Sequence, residues 1–198
     1  FDAVRVGRLV HDPARRARAV ARLAELVRRH ELAGVTLDFE AYPASLDAGV
    51  ATFVAELRAA LRPLGAIVTA TAGADLGPER AGELARAVDY LFLMLYDEHW
   101  STSAAGPVAS QGWYARSAAE YLRHVPAERA ILALGAYGYH WTAGATRAVE
   151  GMTHQEVLAA ARAGVRPAWD GAALNPTLRW TDGDGVGHVV WYLDAVSG

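Results

Sequence analysis

Short apolar segments of strand character alternate with amphipathic helical segments along most of the chain, and this alternation limits the fold more than any other feature. Asp12-Pro13 supplies an N-cap followed by proline at the first helical position. Val20, Leu23 and Val27 then recur at helical spacing, with arginines on the other faces. Gly34–Phe39 (GVTLDF) predicts a short buried strand. A helix beginning near Ser45 carries Val50, Phe53, Leu57 and Leu61 on one face. Ala66–Thr71 predicts a strand, and Gly77-Pro78 starts a helix running to Val88. The wholly apolar Tyr90–Tyr96 predicts a strand covered on both sides. A loop over 97–112 leads to a helix over 113–124, and Ile131–Tyr137 is expected to be another buried strand. Thr153 and Glu156 have the spacing of a capping box ahead of a further helix. Thr177–Thr181 and His188–Leu193, joined through Asp182-Gly183-Asp184-Gly185, predict a hairpin.

Repeated strand–helix units imply an α/β fold with a parallel sheet. A doubly wound nucleotide-binding sheet requires a glycine-rich phosphate loop after a strand, and no GxGxxG occurs. A (β/α)8 barrel instead places its chemistry at the C-terminal ends of its strands. The polar residues fall there: Asp38 and Glu40, Tyr96 and Asp97, Tyr139 to Trp141, Trp191 and Asp194. Five candidate barrel strands are visible where eight close a barrel, so the chain is expected to hold about the last five βα units. The earlier units are then expected upstream of Phe1. A protein confined to these residues is expected to self-associate through its open sheet edges.

Composition removes several function classes. The 198 residues contain no cysteine, which excludes disulfides, zinc–thiolate sites, iron–sulfur clusters and cysteine nucleophiles. All 19 basic residues are arginine, which excludes Walker-type phosphate binding and a lysine Schiff base. A net charge of −3 argues against a nucleic-acid-binding domain. No apolar run approaches the roughly 18 residues of a membrane span. No serine sits in GxSxG, and the seven histidines show neither HExxH nor paired metal spacing. The chain calls for no metal and no cofactor.

The sharpest local signal is Leu37-Asp38-Phe39-Glu40. Alternation along a strand turns both carboxylates to one face and Leu37 and Phe39 to the other. Two adjacent carboxylates disfavour joint ionisation, which suits general-acid chemistry. A structural carboxylate pair, or an ion pair with a nearby arginine, is the alternative. The surrounding motifs decide the weighting. GVTLDFEAYP resembles the active-site strand of glycoside hydrolase family 18, the chitinase family, whose signature is DxxDxDxE. MLYDEHW (Met94–Trp100) resembles that family's MxYD strand, and HVVWYLDA (His188–Ala195) its final, tryptophan-bearing strand. ALGAYGYHWT (Ala133–Thr142) resembles the penultimate strand in the bacterial branch of spore-cortex and germination hydrolases. YDEHWSTSAAGPVASQGWY is similar to bacterial proteins that join such a domain to a polysaccharide deacetylase and a glycosyltransferase.

The resemblance implies that residues 1–198 are the C-terminal part of a single family 18-like barrel domain, acting on β-linked N-acetylglucosamine glycans by a retaining, substrate-assisted route. Glu40 matches the general acid/base, and Asp38 the residue that orients the substrate's 2-acetamido group. Tyr96 matches the tyrosine supporting the acetamido carbonyl, Asp97 the aspartate that binds a sugar hydroxyl or the reacting group, and Trp191 the floor beneath the reacting sugar. A secreted or cell-envelope location is implied in the same way. The two earlier aspartates of the signature fall at Ala33 and Thr36, which leaves a non-catalytic glycan-binding module as the rival reading. Trp100, Trp113, Tyr139 and Trp141 suit either outer sugar subsites or packing under long loops. His99 is expected to be structural, Asp182 and Asp184 to form a turn, and the helix over 15–29 to be a solvated outer helix.

Overall fold

The computed structural model describes residues 2–145, 148 and 150–194. It divides into two compact units, residues 1–94 with 118–132, and residues 95–117 with 133–198.

The first unit begins with two helices, α1 (Ala3–His11) and α2 (Pro13–His30). The sequence reading starts at the second and passes over the first, although Asp2 caps α1 by accepting from the Arg5 N–H at 3.1 Å. Asp12 caps α2 through the N–H groups of Ala14 and Arg15, and Glu31, left-handed at φ 51°, ends it. Strand β1 (Gly34–Leu37) pairs in parallel with β2 (Ile67–Gly73), which pairs in parallel with β3 (Tyr90–Met94). Strand β4 (Ala130–Ala133) completes a sheet of order β1-β2-β3-β4. Helices α3 (Asp47–Leu61) and α4 (Pro78–Ala87) connect the first three strands. Helix α5 (Gln111–Tyr121) follows β3. Spatial order equal to sequence order, with a helix in each connection, is the winding of a (β/α)8 barrel and not of a doubly wound sheet.

The expected helix face packs as the periodicity requires. Val50, Phe53, Val54, Leu57 and Leu61 of α3 are all buried. Gly34 permits the close approach of β1 to β2: a Cβ there would lie 2.2 Å from the Ile67 carbonyl oxygen. At the start of the strands Asp89 accepts from the Val68 N–H at 2.8 Å and pairs with Arg58 at 2.7 Å. This polar clamp belongs to the end of the sheet where stability, and not chemistry, is decided. In β3 only Leu91 and Leu93 are fully buried, while Tyr90 is exposed, so the strand is not covered evenly on both sides.

The segment expected as one buried strand over 131–137 is two strands in two sheets. β4 stops at Ala133, and Ile131, Leu132 and Leu134 are 36%, 39% and 54% exposed. The chain then enters β5 (Tyr137–Thr142) of the second unit. No polar punctuation marks the change, because Leu134, Gly135 and Ala136 read as a continuation of the apolar run.

The second unit holds an antiparallel sheet of order β6-β5-β9-β8-β7. The predicted hairpin is β8 (Asn175–Thr181) against β9 (Gly187–Tyr192). The last of the five candidate barrel strands therefore pairs antiparallel here. Two further short strands, β6 (Glu150–Thr153) and β7 (Pro167–Asp170), escape the sequence reading. The capping box at Thr153 and Glu156 forms and starts α6 (His154–Arg162). Val157 of that helix is buried with Leu178, Val190 and Tyr192. A polar chain crosses the same sheet. Glu150 Oε1 lies 3.3 Å from His140 Nδ1, His140 Nε2 lies 2.8 Å from His188 Nδ1, and His188 Nε2 lies 3.0 Å from Asp182 Oδ2. The Trp180 ring stacks on both imidazoles.

Candidate active site

In the first unit, β1 ends at Leu37, so Asp38 and Glu40 stand just beyond its C-terminal end. The alternation inferred from sequence persists past the strand. Thr36 and Thr69 are in register, and their hydroxyls are 2.7 Å apart. One rung further on, the Thr71 hydroxyl donates to Asp38 Oδ1 at 2.5 Å. Phe39 turns the other way and stacks on Phe53 of α3 at 6.1 Å. Asp38 is exposed and Glu40 half-buried. Thr36, at the position of the signature's inner aspartate, is thus engaged with a neighbouring threonine, and Asp38 takes its hydrogen bond from Thr71.

The chain after Glu40 is tied down. Ala41 adopts φ 50°, and its N–H donates to Asp75 Oδ2 at 2.9 Å. Arg80 pairs with Asp47 at 2.7 Å, donates to the Tyr42 carbonyl and lies 5.0 Å from the Tyr42 ring. Sequence reading missed Thr71 and Asp75. The signal for Thr71 was present: Thr69 and Thr71 repeat the i, i+2 spacing of Thr36 and Asp38 on the adjacent strand. Asp75 lies 34 residues from its partner, and nothing local marks the contact.

In the second unit, Tyr96 and Asp97 follow β3 by two and three residues. Asp97 is left-handed at φ 63°. Its Oδ1 accepts from the Tyr139 hydroxyl at 3.1 Å and, at shorter range, from the Tyr137 hydroxyl. Burial, followed by the Asp97 carboxylate beside it, pushes the Tyr137 phenol far above the ordinary tyrosine range. The same causes raise Tyr139 to about 12. Tyr137 was not among the residues singled out from sequence. It lies two residues before Tyr139 on one face of β5, which is the spacing that brings both to one carboxylate.

Trp191 on β9 is in register with Tyr139 and Thr177. It is 8% exposed, and the Arg179 guanidinium lies 5.8 Å from its ring. Trp141 is fully buried with Trp191 and Ala173, and its Nε1–H donates to the Ser103 carbonyl at 3.0 Å. Of the two roles open for Trp141, packing is the one it fills, since a ring without accessible surface cannot stack on a sugar. Trp113 is half-buried against Val108, Ala109 and Leu193. Trp100 is exposed, with its Nε1–H donating to Thr102 Oγ1 at 2.7 Å. His99 is structural as expected: its Nδ1 lies 3.0 Å from the Pro107 carbonyl, and its ring leaves no room for a Cβ on Gly106. Asp182 organises the turn by accepting from the N–H groups of Asp184 and Val186. Ala195, the last residue of the HVVWYLDA motif, lies outside the described residues.

The sequence profile of glycosyl hydrolases family 18 matches residues 6–190. The chain is a member of glycoside hydrolase family 18. YdhD of Bacillus subtilis (strain 168), which carries the name of a sporulation-specific glycosylase, is 27% identical over all of this chain and 49% of its own length. The cortical fragment-lytic enzyme of the same organism is 26% identical over 96% of this chain and 47% of its own. The crystal structure of a chitinase from Chromobacterium violaceum superposes with a TM-score of 0.82 at 26% identity, covering all of this chain and 64% of that one. The chain thus spans about half the length of the curated relatives it matches.

Proposed function

We propose that this chain is the C-terminal part of a retaining hydrolase of β-linked N-acetylglucosamine glycans, with Glu40 as general acid and base. Chitin-like oligomers, peptidoglycan or a related exopolysaccharide are the substrates. The observation that supports the reading most directly is the pair Asp38 and Glu40 at the C-terminal end of β1, with Asp38 held by Thr71, in a chain of family 18.

In this reading Glu40 protonates the glycosidic oxygen as the bond to the anomeric carbon breaks. The substrate's 2-acetamido oxygen closes on that carbon, steered by Asp38 and supported at its carbonyl by the Tyr96 hydroxyl. Water then opens the cyclic intermediate and gives its proton to Glu40, so configuration is retained without a carboxylate nucleophile. Asp97 accepts from a sugar hydroxyl, and Trp191 forms the floor beneath the reacting sugar. Trp100 and Tyr139 supply outer contacts, while Trp141 buttresses Trp191 from within. Similarity to proteins named for spore-cortex lysis supports a secreted or cell-envelope setting. Similarity in the 96–114 segment supports fusion to a deacetylase or glycosyltransferase in the whole protein.

Ala33 and Thr36, where the signature has aspartates, favour a glycan-binding module as the second reading. The deciding experiment incubates the full-length protein and its Glu40→Gln variant with acetylated and deacetylated glucosamine oligomers, with products read by mass spectrometry. Cleavage of the acetylated series alone is expected. The variant is expected to lose about 10²–10⁴ in turnover, the usual worth of a positioned acid. Binding without cleavage by either protein would establish the binding module instead.

A further inference from the structure

We propose that Tyr137 and Tyr139 are positioning residues that fix Asp97 as a one-sided acceptor for a ligand O–H or N–H group. The identity of that ligand as an N-acetylglucosamine glycan rests on the hydrolase reading above; the clamp itself does not.

Both phenols converge on the same oxygen. Tyr139 donates to Asp97 Oδ1 at 3.1 Å and Tyr137 donates to it at closer range. The two rings are neighbours on β5, 5.5 Å apart and perpendicular. Tyr137 also meets Tyr96 edge-on at 5.8 Å. Two tyrosines therefore converge on one carboxylate whose backbone sits at φ 63°, a left-handed conformation uncommon outside glycine. Two donors on a single oxygen hold that end of the carboxylate in place.

The second oxygen is treated differently. Among the described residues no donor is paired with Asp97 Oδ2, and no arginine or histidine forms an ion pair with this side chain. Phenols are neutral donors, so they bring no opposing charge to the carboxylate. An ionised carboxylate oxygen only accepts. A group that meets Oδ2 must therefore bring a hydrogen, and an anionic group is repelled. Both tyrosines are raised above their ordinary range by burial and by Asp97, so they remain protonated donors across neutral pH. The clamp acts through Asp97 and touches no reacting bond.

The test uses the full-length protein in two assays. The first needs no ligand: ultraviolet difference titration of phenolate formation. Asp97→Asn is expected to bring tyrosine ionisation to lower pH, because the neighbouring charge that opposes it is gone. An unchanged titration would overturn the clamp. The second measures binding of an N-acetylglucosamine oligomer in the Glu40→Gln background, where turnover does not interfere. Tyr137→Phe and Tyr139→Phe are each expected to weaken binding about tenfold, the loss of one hydrogen bond to a charged group. Added to Asp97→Asn, neither is expected to weaken it further, which is the signature of residues acting through another. Undiminished effects in the Asp97→Asn background would overturn positioning. A parent protein that binds no such oligomer would overturn the ligand assignment, whereas the phenolate titration still decides the clamp. Hydrolysis surviving Glu40→Gln would instead fail only the assignment of Glu40 as the general acid.

Discussion

Asp38 shows how a departure from a family pattern is absorbed by a neighbour. With Thr36 occupied by Thr69, its carboxylate is held through Thr71. Thr71→Val is expected to lower kcat/KM for acetylated oligomers by roughly tenfold, and Thr71→Ser to restore most of it, since only the hydroxyl is needed. Equal loss in both variants would mean that Thr71 acts by packing. At this scale the sequence was informative about placement and silent about support. That Asp38, Glu40, Tyr96 and Asp97 follow strand ends and that Trp191 lies in the last strand was legible, because the strands themselves were. Thr71, Asp75 and Tyr137 were not, because each acts through a partner 33 to 40 residues away. Trp141 was ambiguous for a different reason: an aromatic in a strand motif looks the same whether its ring faces ligand or core.

Among the elements, β1 and β2 depend on a single missing side chain. Gly34→Ala would drive a methyl group into the Ile67 carbonyl at 2.2 Å. The strands must shift, and a loss of about 1–3 kcal/mol is expected on thermal or denaturant unfolding, the usual cost of overpacking. Helix α6 depends on its cap. Thr153→Ala is expected to cost about 1 kcal/mol through the orphaned helix N–H groups. The cap also carries a pH dependence of definite sign. Glu156 is held below the usual glutamate range, first by the Thr153 N–H and then by its hydroxyl. A depressed carboxyl stabilises the fold above its unfolded value. That contribution is lost as pH falls through its folded value, so the gap between wild type and Glu156→Gln should close in acid. Helix positions after α1 were readable from caps and periodicity, whereas α1 was passed over. The short strands β6 and β7 were not, because strands of four residues offer too few alternations to stand out from loops.

For the whole molecule, a parallel sheet was legible from alternation alone, although β4 was read together with β5 as one strand, whereas the antiparallel sheet was legible only in its hairpin. β4 closes one side of the parallel sheet with Ile131 and Leu132 exposed. Exposed apolar side chains on an edge strand invite pairing with another chain. A protein limited to these 198 residues is expected to elute above its monomer mass in size-exclusion chromatography with light scattering. Charged substitutions at Ile131 and Leu132 are expected to shift it toward monomer. A monodisperse, cooperatively melting monomer would show that the edge is harmless.

The polar chain Glu150–His140–His188–Asp182 has a consequence that follows from counting hydrogens. Its three contacts need three hydrogens, and two neutral imidazoles bring only two. Satisfying all three contacts at once therefore takes one hydrogen more than two neutral rings carry. Removing that proton leaves one contact as lone pair against oxygen or nitrogen. Adding another sets N–H against N–H between His140 and His188. His188→Asn removes the ring that links His140 to Asp182, and faster hydrogen exchange of the β9 amides than in the wild type at one fixed pH is the expected outcome.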